Sequence, residues 1–173
     1  LSRRGVNLEE ELLDFLTPSE LPNPENHFTD LNKASQRIIE AINKNEKIAI
    51  CGDYDADGIT STVLLCELLS KLGADTLAYI PSRKDDGYGL NLKIINDIYK
   101  KNIKLLITVD NGVSAFDAIK RSLELNIDLI ITDHHKDTKE TMPQAFAVIN
   151  PNRRDEPMDS PLVSLAGVGV AFA

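Results

Sequence analysis

The feature that most constrains the fold of this 173-residue chain is a repeated alternation of short apolar runs with longer helical patterns. The runs, in chain order, are KIAIC, DTLAYI, IKLLITV, IDLIIT and AFAVIN. They are apolar almost throughout, which is typical of parallel strands buried on both faces. The patterns at 59–72, 91–101 and 114–125 are long enough for crossover helices. The sequence therefore predicts an α/β fold with a mostly parallel five-stranded sheet flanked by helices.

The alternating part is predicted to span residues 30–173, preceded by an N-terminal arm at 1–29. The arm carries an amphipathic stretch at 8–16 and then LPNPENHF, whose two prolines suit an extended tether rather than a core element. From Asp30, an N-cap residue type, apolar positions recur at helical spacing up to Ile42. We therefore expect a helix at the start of the second part.

Composition excludes several classes of protein. Hydrophobic residues make 42% of the chain and charged residues 27%, which suits a globular domain with a sizeable core. The net charge of −8 argues against a domain that binds nucleic acid by diffuse positive charge alone. No run is long enough for a membrane helix, and acids stand where a signal peptide needs an apolar core, so we expect a cytoplasmic protein without a membrane partner.

Cys51 and Cys66 lack metal-ligand spacing and are expected to be reduced, buried thiols.

Acidic and imidazole side chains follow three of the predicted strands, where a parallel sheet gathers its ligands. GDYDADG follows the first run, DNG the third and DHH the fourth, and the residues concerned are Asp53, Asp55, Asp57, Asp110, Asp133, His134 and His135. Carboxylates at close range raise one another's pKa and destabilise a fold unless cations neutralise them. Oxygen and imidazole donors without thiolate suit Mn²⁺ or Mg²⁺, with Zn²⁺ or Co²⁺ as possible substitutes. The sequence predicts a divalent metal site.

Other interpretations of GDYDADG are weaker. An EF-hand loop that begins at Asp53 would need a glutamate at its twelfth position, where this chain has Leu64. DADGIT also resembles the nucleophile motif of haloacid-dehalogenase-like phosphatases, but Gly52, Asp53 and Tyr54 separate it from the strand, and that family has no use for the later histidine pair. This phosphatase remains an alternative. No phosphate-binding GxxxxGK[ST] motif occurs, so nucleotide cofactors are not indicated.

With GDYDADGIT, TVDNG and TDHH in this order, the chain resembles the DHH phosphoesterase superfamily. Within this superfamily, the chain is similar to the single-strand-specific 5′ to 3′ DNA exonucleases of bacteria. The segments that carry this similarity are YIPSRKDDGYGLN, AVINPNR and LAGVGVAFA, and the resemblance covers about residues 30–173. The resemblance implies metal-dependent hydrolysis of single-stranded DNA to mononucleotides in recombination and repair. It also implies a single-strand-binding protein and a helicase as possible partners.

The resemblance further implies roles for the residues of the three loops. The implied ligands of two Mn²⁺ ions, or Mg²⁺, are Asp55, Asp57, Asp110 and His134. Asp110 would bridge the ions, and Asp53 would be a further ligand or a supporting acid. His135 would face the scissile phosphate, and Asp133 would orient the histidines by hydrogen bonding. The chain resembles a fragment of a longer enzyme, because a further metal-binding aspartate and a second, substrate-binding domain are expected beyond LAGVGVAFA.

Several residues are candidates for substrate contact. The loop after DTLAYI carries Arg83, Tyr88 and Asn91, and an arginine there could hold a DNA phosphate as a fork. Gly58 and Gly112 could present backbone N–H groups to a phosphate, or could simply allow tight loop geometry. Basic side chains that could line the path of the strand are Lys136, Arg153 and Arg154.

The alternatives to an exonuclease are other hydrolases of the same superfamily and a protein without catalytic activity. The relatives to consider are an oligoribonuclease or cyclic-dinucleotide phosphodiesterase and an inorganic pyrophosphatase. In those relatives we expect a histidine where this chain has Cys51, so GDYDADG favours the exonuclease. A noncatalytic nucleic-acid-binding module is the alternative from a different class, and the intact acids and histidines argue against it.

Overall fold

The computed structural model describes residues 22–82, 89–136 and 142–173. In them strands and helices alternate as far as the fourth strand, and the fifth strand follows it without a helix among the described residues. The strands are β1 (Ile48–Cys51), β2 (Thr76–Tyr79), β3 (Leu105–Val109), β4 (Asp128–Thr132) and β5 (Ala147–Ile149). The helices are α1 (Leu31–Asn43), α2 (Ala56–Lys71), α3 (Leu92–Lys100), α4 (Phe116–Glu124) and α5 (Gly167–Phe172). Short 3-10 turns occur at Pro24–Asn26 and Pro161–Ser164.

The strands of the described residues form one sheet in the order β2-β1-β3-β4-β5, and every neighbouring pair is parallel. The predicted α/β fold with a five-stranded parallel sheet is therefore confirmed. The chain first moves outward from β1 to β2 and then returns to add β3 on the other side of β1. This reversal opens a crevice at the carboxyl ends of β1 and β3, which is where such sheets bind their ligands.

The continuously apolar runs are explained by a core on each face of the sheet. Ile48 and Ile50 of β1 belong to one buried cluster, which also receives residues of α1, α2 and α5. Ala49 and Cys51 point to the opposite face and join residues of α3 and α4. Every position of β1 and β3 is therefore buried, because alternate side chains enter different cores.

Two expectations about the elements of the fold differ from the structure. Helix α2 begins at Ala56 rather than at residue 59, because Asp55 caps it by accepting a hydrogen bond from the backbone N–H of Gly58 at 2.9 Å. The tether interpretation of LPNPENHF is wrong for Phe28, which is 2% exposed and packs in the core. Pro24 begins a 3-10 turn, Pro24–Asn26, directly before the buried His27 and Phe28. The amphipathic stretch at 8–16 lies outside the described residues.

Both cysteines are free thiols; Cys51 is buried, as the sequence predicts, whereas Cys66 is only half-buried. Burial raises the pKa of the Cys51 thiol to about 12, and burial also raises the pKa of Cys66. Within the three described ranges, no helix combines the length and apolarity needed to cross a membrane.

Candidate metal centre

The three predicted loops meet at the carboxyl edge of the sheet. Asp110 directly follows β3 and Asp133 directly follows β4, and each is only 1% exposed. His134 Nε2 lies 3.1 Å from Asp110 Oδ1 and 3.6 Å from Asp57 Oδ2. The structure therefore joins the first turn of α2 with the loops after β3 and β4.

Asp110 is the most constrained residue at this edge. Its backbone is left-handed, with φ 60°, and its buried Oδ1 accepts no hydrogen bond from any described residue. Burial raises the pKa of this carboxyl to about 7, and the charges of Asp57 and Asp55 add to the effect. A buried carboxylate that is ionised is costly when its oxygen accepts no hydrogen bond, and the nitrogen beside Oδ1 among the described residues is His134 Nε2, at 3.1 Å. A cation beside Oδ1 would remove that cost.

Asp133 organises the two histidines through one carboxylate. Its Oδ1 accepts the backbone N–H groups of His134 at 2.8 Å and His135 at 3.1 Å, and lies 2.7 Å from His135 Nδ1. Its Oδ2 accepts the N–H of Val113 at 3.0 Å. The hydrogen bond to Asp133 is the main reason that the pKa of His135 is raised. Because Nδ1 is engaged, Nε2 is the ring nitrogen of His135 left to act on a ligand.

The aspartates of GDYDADG each have a distinct setting. Asp55 caps α2, while both oxygens of Asp57 accept backbone N–H groups from the start of α5. Asp53 is fully buried; its Oδ1 accepts the N–H of Tyr54, and no described residue donates to its Oδ2. A carboxylate oxygen has two lone pairs, so Asp55 and Asp57 can make these bonds and still bind a cation.

The donor set fits a divalent ion. The ligand atoms that Asp110, His134 and His135 offer lie within 4.8 Å of one another. Carboxylate oxygen combined with imidazole nitrogen suits Mn²⁺ and related ions. Two buried carboxylate oxygens, Asp53 Oδ2 and Asp110 Oδ1, lack hydrogen-bond donors among the described residues, as expected of groups placed to receive a cation.

Close packing explains why glycine stands at both positions that were predicted to approach a phosphate, Gly58 and Gly112. A Cβ at Gly58 would lie 2.5 Å from the backbone N of Asp53, and its own N–H donates to Asp55. Gly112 has φ 117°, and a Cβ there would lie 2.7 Å from Thr108 Oγ1. Tight geometry therefore accounts for both glycines, and their contact with a phosphate stays a prediction.

The predicted substrate-binding residues have mixed outcomes. Arg83 and Tyr88 lie outside the described residues. Asn91 caps α3 through a hydrogen bond from the N–H of Ile94 at 3.1 Å. Lys136 lines a cavity of about 420 Å³ that also borders His135.

The prediction that Arg153 lines a DNA path is wrong. Its guanidinium is buried, with Nη1 2.7 Å from Asp30 Oδ2 and Nη2 2.7 Å from Asp155 Oδ2. The ion pair with Asp30 attaches the loop after β5 to the start of α1, and the pair with Asp155 lies within that loop, so this arginine serves the fold. Arg154, its neighbour, is exposed.

Sequence reasoning missed the asparagines that hold the loops of this edge. Buried Asn111 donates through Nδ2 to the carbonyl oxygens of Cys51 at 3.1 Å and Val109 at 2.9 Å, and its Oδ1 accepts the N–H of Leu90 at 3.0 Å. It thus joins the ends of β1 and β3 to the segment before α3. An asparagine after a strand is ordinarily a turn residue, so no local pattern distinguishes this role. Asn150 and Asn152, after β5, hydrogen-bond to the loop after β4.

Comparison with known proteins gives consistent matches. Residues 47–173 match the DHH family, N-terminal domain. The chain is 42% identical over 159 residues to the single-stranded-DNA-specific exonuclease RecJ of Bacillus subtilis, and the aligned region covers 92% of this chain and 19% of the relative. It is 43% identical over 151 residues to RecJ of Haemophilus influenzae, covering 87% of this chain and 26% of the relative.

Solved structures agree with these sequence matches. An exonuclease RecJ bound to manganese superposes with a TM-score of 0.76 at 33% identity, over 90% of this chain and 37% of that one. RecJ of Thermus thermophilus in complex with Mn²⁺ gives a TM-score of 0.68 at 29% identity, over 90% of this chain and 21% of that one. The chain spans between 19% and 26% of the length of the two curated relatives. Every aspartate and histidine of the candidate metal centre falls within the matched residues 47–173, and the chain belongs to the DHH family.

Proposed function

We propose that this chain is the catalytic core of a metal-dependent exonuclease that degrades single-stranded DNA from the 5′ end and releases mononucleotides. The observation that carries the proposal is the buried Asp110 carboxylate, whose Oδ1 has no hydrogen-bond donor among the described residues and lies 3.1 Å from His134 Nε2. The relatives are named single-stranded-DNA-specific exonucleases, and solved RecJ structures similar to this chain are described as bound to Mn²⁺ or Mg²⁺.

The side chains that would hold two divalent ions are Asp55, Asp57, Asp110 and His134, with Asp53 as a further ligand or supporting acid. Asp110 would serve both ions. Bound ions of this kind screen phosphate oxygens and lower the pKa of a bound water. His135 would then act on the phosphate through Nε2. Its raised pKa favours the protonated ring, which can donate a hydrogen bond to a phosphate oxygen or a proton to the leaving oxygen.

The substrate contacts remain part of the proposal. Arg83, Tyr88 and Asn91 would contact the DNA strand, and Lys136 borders the cavity beside His135. The backbone at Gly58 and Gly112 would approach a phosphate closely. We further propose that residues 30–173 are the catalytic domain, that 1–29 form an arm, and that a second substrate-binding domain, a single-strand-binding protein and a helicase cooperate with it in the whole protein.

The test compares three substrates under the same conditions. Full-length protein with Mn²⁺ is given single-stranded DNA labelled at either end, a dinucleotide and pyrophosphate. The proposal expects labelled mononucleotide to appear first from the 5′-labelled DNA. Consumption of only the dinucleotide or pyrophosphate would contradict it. The 173-residue chain is expected to bind at least one ion and to show little exonuclease activity; activity equal to that of the full-length protein would mean that the catalytic apparatus is wrongly assigned.

A further inference from the structure

The loop that follows β5 is hydrogen-bonded to the loop that carries the two histidines. The backbone N–H of Asp133 donates to the carbonyl oxygen of Ile149 at 3.0 Å, which continues the ladder between β4 and β5. Beyond Asp133 and Ile149, the hydrogen bonds between the two loops are donated by side chains rather than by the backbone. Asn150 Nδ2 donates to the carbonyl oxygen of His135 at 2.9 Å, and Asn152 Nδ2 donates to that of His134 at 2.6 Å.

The two asparagines are themselves held in place. Asn150 Oδ1 accepts the backbone N–H of Asn152 at 2.8 Å, and its carbonyl oxygen accepts the N–H of Arg153 at 3.0 Å. Arg153 Nη1 also donates to the carbonyl oxygen of Val148 at 2.7 Å. Asn150 is only 1% exposed. Its amide uses donor and acceptor at once, a combination that aspartate lacks when ionised.

These bonds act on the peptide groups of His134 and His135, while Asp133 acts on their N–H groups. Each histidine backbone is therefore fixed on both sides, from β4 by the carboxylate and from β5 by an amide. A metal ligand must be held within about 0.5 Å of its working position, and residues that orient ligands are as important as the ligands themselves.

We propose that Asn150 and Asn152 are positioning residues of the metal centre, which hold His134 Nε2 beside Asp110 and His135 Nδ1 on Asp133 by fixing the two histidine carbonyls. The inference rests on the proposed function, because it assumes that His134 binds an ion. Neither asparagine is assigned contact with the ion or the substrate, so the effect of each must pass through a histidine.

The experiment measures Mn²⁺ binding to the 173-residue chain, using the electron paramagnetic resonance signal of free Mn²⁺ during titration. Asn152→Ala is expected to weaken Mn²⁺ affinity about 10-fold, the lower end of the range for residues that orient metal ligands. The matched control is Asn96→Ala, because Asn96 is also half-buried and hydrogen-bonded, to Arg121, but lies in α3. Control affinity should equal that of the wild type. Asn150→Ala should weaken Mn²⁺ affinity less than Asn152→Ala, because Asn150 holds the carbonyl of His135, which is not assigned as a ligand, and reaches His134 only through its hydrogen bond with the N–H of Asn152.

A double-mutant cycle separates positioning from a general loss of structure. Asn152→Ala should weaken Mn²⁺ affinity when His134 is present and have no further effect in the His134→Ala background. An equal fold-change in both backgrounds, or wild-type affinity of Asn152→Ala, would overturn the inference. If Asn152→Ala does not fold, Asn152→Asp keeps the shape and removes the donor. Its added negative charge favours cation binding, so weaker affinity would support the inference and unchanged or tighter affinity would overturn it.

The same titration distinguishes this inference from the proposed function. If the wild-type chain binds no Mn²⁺, the proposed metal-dependent function fails, whatever the asparagines do. If the wild-type chain binds Mn²⁺ and both asparagine variants bind it equally well, the inference fails and the proposed function stands.

Discussion

The Asp57 carboxylate accepts a hydrogen bond at 2.7 Å from the backbone N–H of Gly167, a residue that lies 110 positions later in the chain. Its second oxygen accepts the N–H of Val168 at 2.8 Å. A side chain of the first acidic motif thereby anchors the first turn of α5, where the unpaired N–H groups of a helix favour an anion. Asp57 serves the fold as well as the candidate metal centre.

Replacement of Asp57 by alanine should therefore destabilise the chain even without metal. We expect a loss of about 1–3 kcal/mol in the free energy of unfolding, because two charge-assisted hydrogen bonds disappear while repulsion with Asp110 is relieved. Urea denaturation in the presence of a chelator measures this change. Asp75→Ala is the control, since the Asp75 side chain forms an exposed ion pair with Lys47 and its backbone bond to Ile48 survives the substitution. Equal stability of the two variants would show that Asp57 does not anchor α5.

The Asp110→Asn variant should be more stable than the wild type without metal, and should lose Mn²⁺ binding. The pKa of Asp110 is raised to about 7, so at pH 8 the folded chain holds a buried carboxylate that its surroundings disfavour. Removal of the charge should stabilise the fold by about 2 kcal/mol. Asparagine tolerates the φ of 60° at this position, whereas alanine would add backbone strain. Urea denaturation and Mn²⁺ titration test both parts; a less stable Asp110→Asn, or one that binds Mn²⁺ normally, would contradict them.

The stability of the metal-free chain should depend on pH through Asp110. In the folded chain this carboxyl keeps its proton up to about pH 7, while an unfolded aspartate loses its proton near pH ~4. Between these pH values the folded state binds more protons than the unfolded state, so the contribution of Asp110 to the free energy of unfolding falls as pH rises from about 4 to about 7. The measurement is the difference between wild type and Asp110→Asn in urea denaturation at several pH values. A difference that stays constant with pH would refute the assignment.

The two histidines should differ when each is replaced by alanine. His134→Ala removes the nitrogen beside Asp110 and should weaken Mn²⁺ affinity about 10-fold to 100-fold, whereas His135→Ala should leave most of the affinity and lower turnover in the full-length protein. Calorimetric titration with Mn²⁺ and single-turnover hydrolysis give the two quantities. Equal loss of metal affinity in both variants would contradict this division of roles.

Gly58→Ala should be strongly destabilising although alanine favours helices. The new Cβ would lie 2.5–2.8 Å from backbone atoms of Asp53, which cannot move without disturbing the loop after β1. We expect a loss of about 1–3 kcal/mol, as for other overpacked sites. Gly169→Ala in α5 is the control, because the nearest atoms to its Cβ would belong to the side chain of Leu165, at 3.0 Å and beyond, rather than to the backbone. Thermal denaturation of both variants without metal tests the contrast, and equal midpoints would refute it.

The sequence was sufficient to predict the sheet and the position of the acids, because strand burial and the residues after each strand are local patterns. Asp110 and Asp133 follow β3 and β4 directly, so parallel pairing alone brings their loops to one edge. The start of α2 was predicted too late, since the polar residues at its beginning resemble a loop until Asp55 is known to cap them.

The contacts that hold the site could not be predicted in the same way. Asn150 and Asn152 hydrogen-bond to carbonyl oxygens more than ten positions earlier in the chain, and any residue supplies a carbonyl oxygen. The ion pair of Arg153 could not be predicted either, because a basic residue in a loop is ordinarily solvated, and only the fold brings Asp30 to it. Burial of Phe28 likewise follows a turn that Pro24 permits but does not require.

The hydrogen bonds of Asn111 also bear on the chemical lifetime of the chain. Asn111 precedes Gly112, and an asparagine followed by glycine is prone to deamidation when the backbone is free, because the unhindered glycine nitrogen can attack the side-chain carbonyl. In the fold, both ends of the amide are occupied by Leu90, Cys51 and Val109. In the unfolded chain the backbone nitrogen of Gly112 can displace the side-chain amide of Asn111 as ammonia, and water then opens the resulting cyclic imide to aspartate or isoaspartate. The resulting aspartate would lose both donors and add a charge next to Asp110, so covalent ageing of the unfolded chain would gradually remove its ability to refold around the metal centre.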